Sequence, residues 1–233
     1  MANEICSYTL EGTTAIVRMD DGKANALSEA MIASLSGALD RAEKEAAALV
    51  LAGRPDRFCA GFDLRVMMTS PEAATGLLRK GAALLLRLYG ISIPLVVACT
   101  GHAVAGGALV VLTGDVRLGA PGAYRIGLNE VSIGLPVPVL AMELARDRLS
   151  ARELAAATLL ARIYDPETAV AAGYLDALVP ADALLARATE EAGRLAALAR
   201  PAFRATKARL RGRTIRYIED TLESDLQSIL SQS

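Results

Sequence analysis

The sequence predicts an α/β fold followed by a helical C-terminal part, on the basis of three observations. All-apolar runs at residues 48–52 and 95–100 are typical of strands buried on both faces, as in parallel sheets. Segments with helical spacing of apolar residues lie between such runs, so strands and helices alternate. From residue 182 to 230 almost every segment has a helical pattern. We therefore predict a strand-rich core over residues 1–180 and a helical region over residues 181–233.

The first half is predicted to begin with a hairpin, because two β-type runs flank Glu11 and Gly12. Ser28 is expected to cap a helix that continues to about residue 47 and buries Met31, Leu35 and Leu39. The elements predicted in this half are strands at 5–10, 13–19 and 48–52, a loop at 53–62, a helix at 71–89, a strand at 95–100, a helix at 106–113, and strands at 115–119 and 123–126.

The second half contains clear helix start and stop signals. Ser150 and Glu153 form a capping box that predicts a helix to residue 161. Asp165 and Pro166 begin another helix, which Gly173 ends. A short strand is predicted at 175–179, and the helical stretch from 182 to 230 is expected to break at Pro201 and Gly212.

Composition argues against several classes of function. The chain has 233 residues, a formal net charge of −1 and no tryptophan, which disfavours nucleic-acid binding by charge or by base stacking. Three widely spaced cysteines indicate neither a disulfide framework nor a metal site, and favour a reducing cytoplasm. The single histidine, His102, excludes a multi-histidine metal site. No signal peptide is expected, and Pro94 and several glycines interrupt the apolar stretch 91–112, so no membrane span is predicted.

Two glycine-containing turns carry the strongest chemical signal. Residues 57–64 (RFCAGFDL) and 101–107 (GHAVAGG) each follow an apolar strand-like run and lead into a helix-like run. Small residues allow the backbone to approach a ligand closely, and N–H groups at a helix start carry the positive end of the helix dipole. Two such N–H groups aimed at one point would form an oxyanion hole, which polarises a carbonyl without a metal ion.

Five segments along the chain resemble, in order, the motifs of one known family. They are residues 21–27 (DGKANAL), 58–64 (FCAGFDL), 94–98 (PLVVA) leading into 101–107 with Asp115 after it, 127–136 (GLNEVSIGLP), and 169–176 (AVAAGYLD). This series is similar to the crotonase superfamily, also called the enoyl-CoA hydratase/isomerase family. The resemblance covers nearly the whole chain.

The resemblance implies a fold, a substrate class and a set of site residues. The implied fold is a crotonase-type spiral of ββα units with a helical C-terminal trimerisation region, giving a homo-trimer or hexamer. The implied substrates are acyl-CoA thioesters, so coenzyme A is part of the substrate, and no prosthetic group or metal is expected. The backbone N–H groups of Phe62 and Gly106 would hold the thioester oxygen. The residues implied in binding coenzyme A are Lys23, Ala24, Ala26, Ala60, Phe62, Asp63, Leu64 and Arg65.

One of the two glutamates that hydratases of this family use to activate water is missing. Leu109 occupies the first position, whereas Glu130 matches the second if one inserted residue is allowed. A single carboxylate suits the transfer of a proton between two carbons, as in the conversion of 3-enoyl-CoA to 2-enoyl-CoA. Glu130 is therefore predicted to be the catalytic base, with a pKa raised by its apolar neighbours Val131, Ile133 and Leu135.

Two alternatives remain open. An enoyl-CoA hydratase or acyl-CoA hydrolase would need a second acid in the pocket, for which Glu72 and Glu143 are the candidates. A non-catalytic acyl-CoA-binding protein would be consistent with the loss of the first glutamate, although not with the retention of Glu130.

Other reactive side chains have ordinary structural interpretations. His102 is expected to be a satisfied residue near its turn, and Cys59 is not expected to be a nucleophile because only His102 could activate it. A basic run without an intervening acid is interpreted as a solvated helix face or as a contact to the phosphates of coenzyme A. It comprises Arg200, Arg204, Lys207, Arg209, Arg211, Arg213 and Arg216.

Overall fold

Six strands form a large sheet and three form a small one, in a computed structural model that describes residues 5–231, with side chains to residue 229. The strands are β1 (Cys6–Glu11), β2 (Thr14–Met19), β3 (Ala48–Ala52), β4 (Asp56–Cys59), β5 (Leu95–Cys99), β6 (Gly101–Val104), β7 (Val116–Gly119), β8 (Ile126–Gly127) and β9 (Ala177–Leu178). The large sheet has the order β1-β2-β3-β5-β7-β9, and the small sheet has the order β4-β6-β8. Only the β1–β2 hairpin is antiparallel.

Nine α-helices connect or cover these strands within the described part of the chain. They are α1 (Glu29–Glu45), α2 (Leu64–Met67), α3 (Pro71–Gly90), α4 (Gly106–Thr113), α5 (Val139–Arg148), α6 (Leu154–Thr158), α7 (Pro166–Ala172), α8 (Leu184–Ala196) and α9 (Arg200–Ser231). The chain repeatedly passes from a strand of the large sheet to a strand of the small sheet and then to a helix, as in β5-β6-α4. This is the ββα order that the sequence predicts.

The central strands β3 and β5 of the large sheet are buried on both faces, as their apolar sequences require. Val50 and Val96 face α8, whose Leu184, Ala188 and Ala192 complete one core cluster. The alternate residues of the same strands, such as Leu51, face the main core together with residues of α1, α3 and α4. The last helix, α9, lies against α3 and α5. A domain boundary near residue 180 stays a prediction.

Several elements differ from the sequence-based expectation. The loop predicted at 53–62 contains β4, and the turn at 101–107 begins with β6, because these two short segments pair with each other in parallel. Helices α2 and α5 were not predicted. The helical stretch breaks just before Pro201, between α8 and α9, but the break expected at Gly212 is wrong, since α9 is continuous from Arg200 to Ser231. Pro201 lies in the first turn, where a backbone N–H has no intrahelical partner to lose.

The apolar stretch at residues 91–112 forms β5, β6 and most of α4, in agreement with the strand-turn-helix interpretation. None of the described helices combines the length and the apolarity that crossing a bilayer requires.

Candidate active site

The two glycine-containing turns meet directly at the ends of β4 and β6. Cys59 pairs with Ala103 in the small sheet, so both strands end side by side. A Cβ atom placed on Gly107 would lie 2.0 Å from the carbonyl oxygen of Cys59, and one placed on Gly61 would lie 3.1 Å from the nitrogen of Gly106. Glycine is required at these positions because any side chain would separate the two turns.

The N–H groups of Phe62 and Gly106 are left available by the surrounding backbone pairing. Leu27 donates its N–H to the Gly61 oxygen (2.8 Å) and accepts from the Asp63 N–H (3.4 Å), a parallel bridge that does not use the Phe62 N–H. Gly106 is the first residue of α4, where helix N–H groups lack intrahelical acceptors. In residues 5–231 no backbone acceptor pairs with either group. Both predicted oxyanion donors therefore lie on touching turns and are free to bind an oxygen.

Ala105 holds the second turn in an unusual backbone conformation. Its φ is 50° and its ψ is −125°, a region that L-residues rarely adopt. The Ala105 N–H donates to the Gly127 oxygen at 3.0 Å, which fixes the Val104–Ala105 peptide against β8. Such strain is common at ligand-binding turns, and it orients the Gly106 N–H.

The segments predicted to bind coenzyme A lie side by side. Ala60 donates its N–H to the Ala24 oxygen at 3.1 Å, and the buried Asn25 amide donates to the carbonyl oxygens of Met19, Arg57 and Phe58. Asp63 caps α2 and bonds to Arg65, while the Leu64 side chain is exposed. The eight predicted contact residues thus occupy two adjoining segments, 23–26 and 60–65.

Glu130 follows the strand that supports Ala105. It lies three residues beyond Gly127 and immediately precedes a 3-10 turn (Val131–Ile133). The residue is only 9% exposed, and its Oε2 atom is buried without a hydrogen-bond partner. Burial raises the pKa of Glu130 above its usual value, and the N–H groups of Glu130 and Asn129 oppose this only partly.

The predicted direction of this pKa shift is confirmed, but the expected cause is wrong. Val131 and Ile133 are exposed, so these sequence neighbours do not bury the carboxyl group. Burial, and then the charges of Tyr164 and Glu130, raise the pKa of the buried Tyr174.

A small apolar cavity of about 40 Å³ adjoins the turns. Phe62 lies at one side together with Leu109, which is one helical turn after Gly106. The walls come from α3, α4, α5 and α9, and the lining residues are Phe62, Leu78, Ala82, Leu85, Leu109, Pro138, Leu140, Leu222, Asp225 and Leu226. The cavity can hold an apolar group but offers few polar partners.

The contribution of α9 to this cavity was missed by sequence reasoning. Leu222, Asp225 and Leu226 share one helix face through their i, i+3 and i+4 spacing. This spacing is the feature of the sequence that could have identified them. The Oδ2 atom of Asp225 accepts the N–H of Val139 at 2.7 Å, and burial raises the pKa of Asp225. Asp225 thereby caps α5, whose own N-cap residue Pro138 has no side-chain hydrogen bond to offer.

The other candidate acids lie outside the cavity lining. Glu72 is exposed in the first turn of α3, where the Ser70 side chain and its own N–H lower its pKa. Glu143 forms an ion pair with Arg146 at 3.3 Å. Neither residue lines the apolar cavity.

His102 and Cys59 have the structural roles expected of them. The Nδ1 atom of His102 accepts the Arg125 N–H at 3.0 Å, and its ring packs edge-on against Tyr124. Burial, followed by the charges of Arg57 and Arg125, lowers the pKa of His102. Burial raises the pKa of the Cys59 thiol to about 12, so the thiolate form is disfavoured.

The basic run of α9 is not a single solvated face. Lys207 and Arg211 are buried and both pair with Asp115, at 2.7 and 3.0 Å. Arg200 donates to the backbone oxygen of Glu43 at 2.7 Å. Arg209 and Arg213 are exposed. Part of the run therefore anchors α9 to the core.

Comparison with known proteins gives a consistent result. A model of the enoyl-CoA hydratase/isomerase family matches residues 9–231. Human mitochondrial enoyl-CoA delta isomerase 1 is 29% identical over 222 residues, covering 93% of this chain and 74% of the human protein. A Thermus thermophilus protein with an enoyl-CoA hydratase name is 33% identical over 206 residues, covering 84% of this chain and 80% of that protein. The crystal structure of an enoyl-CoA hydratase/isomerase family protein from Pseudomonas syringae superimposes with a TM-score of 0.94 at 38% identity, covering 97% of this chain and 98% of that one.

Proposed function

The chain belongs to the enoyl-CoA hydratase/isomerase family, and on this premise we propose that it is an enoyl-CoA isomerase. Such an enzyme moves the double bond of a 3-enoyl-CoA thioester into conjugation with the carbonyl. The observation that carries the proposal is a single buried carboxylate, Glu130, with Leu109 at the position where a hydratase has its other glutamate. The human relative that bears an isomerase name is consistent with it.

The proposed mechanism needs one base and one oxyanion hole. The N–H groups of Phe62 and Gly106 donate to the thioester oxygen, which becomes negative when a proton leaves C2. The Glu130 carboxylate takes that proton, and the electron pair of the C2–H bond forms a dienolate with the C3–C4 double bond. Glu130 then returns the proton to C4, which leaves a C2–C3 double bond. Each N–H donor is expected to stabilise the transition state by about 3 to 4 kcal/mol.

The decisive test is the isomerase activity of Glu130→Gln. With 3-hexenoyl-CoA, the wild type should produce the conjugated 2-enoyl thioester, followed by its absorbance. Loss of the base should lower the rate by about 10²- to 10⁴-fold. Glu72→Gln removes an exposed carboxylate elsewhere and serves as the matched control, with an unchanged rate. An unchanged rate in Glu130→Gln would show that Glu130 is not the base.

Hydration of a 2-enoyl-CoA is the second candidate activity, because one further carboxylate, Asp225, lines the cavity. A hydratase would need this group to share the activation of water with Glu130. We expect slow hydration that Asp225→Asn, Glu72→Gln and Glu143→Gln leave unaltered, since Asp225 is engaged with Val139. Rapid hydration that is lost in Asp225→Asn would favour the hydratase.

A non-catalytic acyl-CoA-binding protein is the third candidate, and only the loss of the first glutamate favours it. It would bind acyl-CoA saturably and turn over none of a panel of acyl chains.

The proposal also includes the binding of coenzyme A at segments 23–26 and 60–65 and assembly as a homo-trimer or hexamer. Sedimentation velocity of the purified protein tests the assembly.

A further inference from the structure

We infer that Leu222 and Leu226 of α9 set the acyl-chain length that the site accepts, and that the preferred substrates have short chains of about six carbons. The inference rests on the proposed function, because it takes the cavity beside Phe62 as the place of the acyl tail. It concerns which thioesters bind, and it can be tested by binding as well as by turnover.

The cavity begins at the reacting centre. Phe62 and Leu109 contribute to its lining, and these residues belong to the same turn and helix as the two free N–H groups. A thioester whose oxygen binds between Phe62 and Gly106 has its reacting carbons next to this opening. The lining beyond is almost entirely aliphatic, so a hydrocarbon tail is the group that fits it.

The cavity is short. Its volume of about 40 Å³ is small beside the roughly 300 to 1,000 Å³ of a usual ligand pocket. Carbons C1 to C4 of an isomerase substrate take part in the reaction, so a space of this size suits a short tail beyond C4. A ten-carbon chain would need the walls to move apart, and packed side chains resist such movement.

Helix α9 forms the end wall, and two contacts hold it there. Asp225 accepts the Val139 N–H at 2.7 Å, which ties α9 to α5. Arg79 of α3 forms a two-point ion pair with Glu223, with both contacts at 2.7 Å. Leu222 and Leu226 lie on either side of Asp225 in the lining, and Leu226 is only 4% exposed. These two leucines therefore limit the length of the tail.

The test replaces Leu222 by a smaller and by a larger side chain. Leu222→Ala enlarges the cavity and should raise kcat/KM for 3-decenoyl-CoA relative to 3-hexenoyl-CoA by about tenfold or more, the usual effect of a few methylene-sized groups in an apolar pocket. Leu222→Phe fills the cavity and should shift the ratio in the opposite direction. Leu226→Ala should act like Leu222→Ala. Leu210→Ala, on an exposed part of the same helix, is the matched control and should leave the ratio unchanged.

A binding measurement separates this inference from the isomerase proposal. Calorimetric titration with hexanoyl-CoA and decanoyl-CoA should show tighter binding of the shorter thioester to the wild type, with the preference reduced in Leu222→Ala. That result supports the inference even if no isomerisation is found. Equal binding of both thioesters by the wild type would overturn it. So would an unaltered preference in both Leu222 variants, provided that their thermal unfolding shows them to be folded.

Discussion

The Oε2 atom of Glu130 is buried without a hydrogen-bond partner, so the fold disfavours the ionised carboxylate. Because burial raises the folded-state pKa of Glu130, its ionisation costs stability once the pH rises through that raised pKa. A base, however, must be ionised before it can take a proton. At a pH above the raised pKa the carboxylate is ionised and is a stronger base than an ordinary glutamate, at the expense of folded stability, as is common at catalytic sites.

The raised pKa of Glu130 predicts the pH dependence of the proposed reaction. The protonated carboxyl group cannot accept a proton, so kcat/KM should fall as the pH drops through the raised pKa. The midpoint of the acidic limb should lie above 4.5, the ordinary value for glutamate. The measurement is a pH profile of kcat/KM with 3-hexenoyl-CoA, with thermal unfolding at each pH to exclude acid denaturation. A midpoint at or below 4.5 would contradict the assignment.

At single residues, the sequence predicts chemical identity better than geometry. Glu130, Phe62 and Gly106 could be selected from motifs, because glycine and carboxylate have few other uses in such turns. The positive φ of Ala105 could not be selected, since alanine carries no signal for that backbone conformation. The burial of Glu130 depends on the packing of the folded chain, since two of its apolar sequence neighbours, Val131 and Ile133, are exposed.

At the level of elements, Gly81 leaves a space on the surface of α3 that the Phe62 ring occupies. A Cβ atom on Gly81 would lie 2.1 Å from Cε1 of Phe62, so the ring and Gly81 fit only while residue 81 has no side chain. A Cβ atom on Gly76 of the same helix would meet nothing within 4 Å. Both glycines lie within α3, but Gly81 faces the Phe62 ring and Gly76 faces open space. Substitution of Gly76 is therefore a matched control for substitution of Gly81.

We expect Gly81→Ala to lower kcat by about 10- to 100-fold, because a displaced Phe62 misplaces its N–H group. Gly76→Ala should keep full activity and raise stability by about 0.5 to 1 kcal/mol, the usual gain of replacing glycine in a helix. Both variants are measured with 3-hexenoyl-CoA and by urea unfolding. Full activity in Gly81→Ala would mean that the ring position does not control the oxyanion hole.

The elements that the sequence predicts poorly are those made by pairing between distant segments. Helices α1 and α3 follow from capping and periodicity, which are local signals. Strand β4 is largely polar and exposed at its start, and exists because β6 pairs with it. The continuity of α9 through Gly212 likewise depends on tertiary anchors, since an isolated glycine there favours a break.

On the scale of the whole molecule, Asp115 joins the C-terminal helix to the core. Its carboxylate accepts the Leu95 N–H at 2.8 Å and pairs with both Lys207 and Arg211 of α9. Arg211 also donates to the Tyr89 oxygen and lies over the Tyr89 ring at 4.5 Å. The Asp115 carboxylate thus connects β5, the start of β7 and α9, whose far end contributes to the wall of the cavity.

Replacing Asp115 by asparagine should be strongly destabilising. Two buried cations would lose their only carboxylate among the described contacts, and breaking a buried ion pair on one side typically costs about 3 to 5 kcal/mol. Burial, which outweighs the charge of Asp115, already lowers the pKa of Lys207 to about 8. Because Asp115 raises the pKa of Lys207, its replacement lowers that pKa further, so the cost should shrink as the pH rises towards about 8, where Lys207 also loses its proton in the wild type.

The measurement is urea unfolding of Asp115→Asn at neutral pH and at about pH 9, with Glu223→Gln as the control. The control removes the exposed ion pair with Arg79, which also anchors α9, and should leave the unfolding midpoint nearly unchanged because solvent screens such pairs. Similar midpoints for both variants at neutral pH would show that Asp115 is not the anchor. A cost in Asp115→Asn that is the same at both pH values would instead show that Lys207 does not change its protonation state between them.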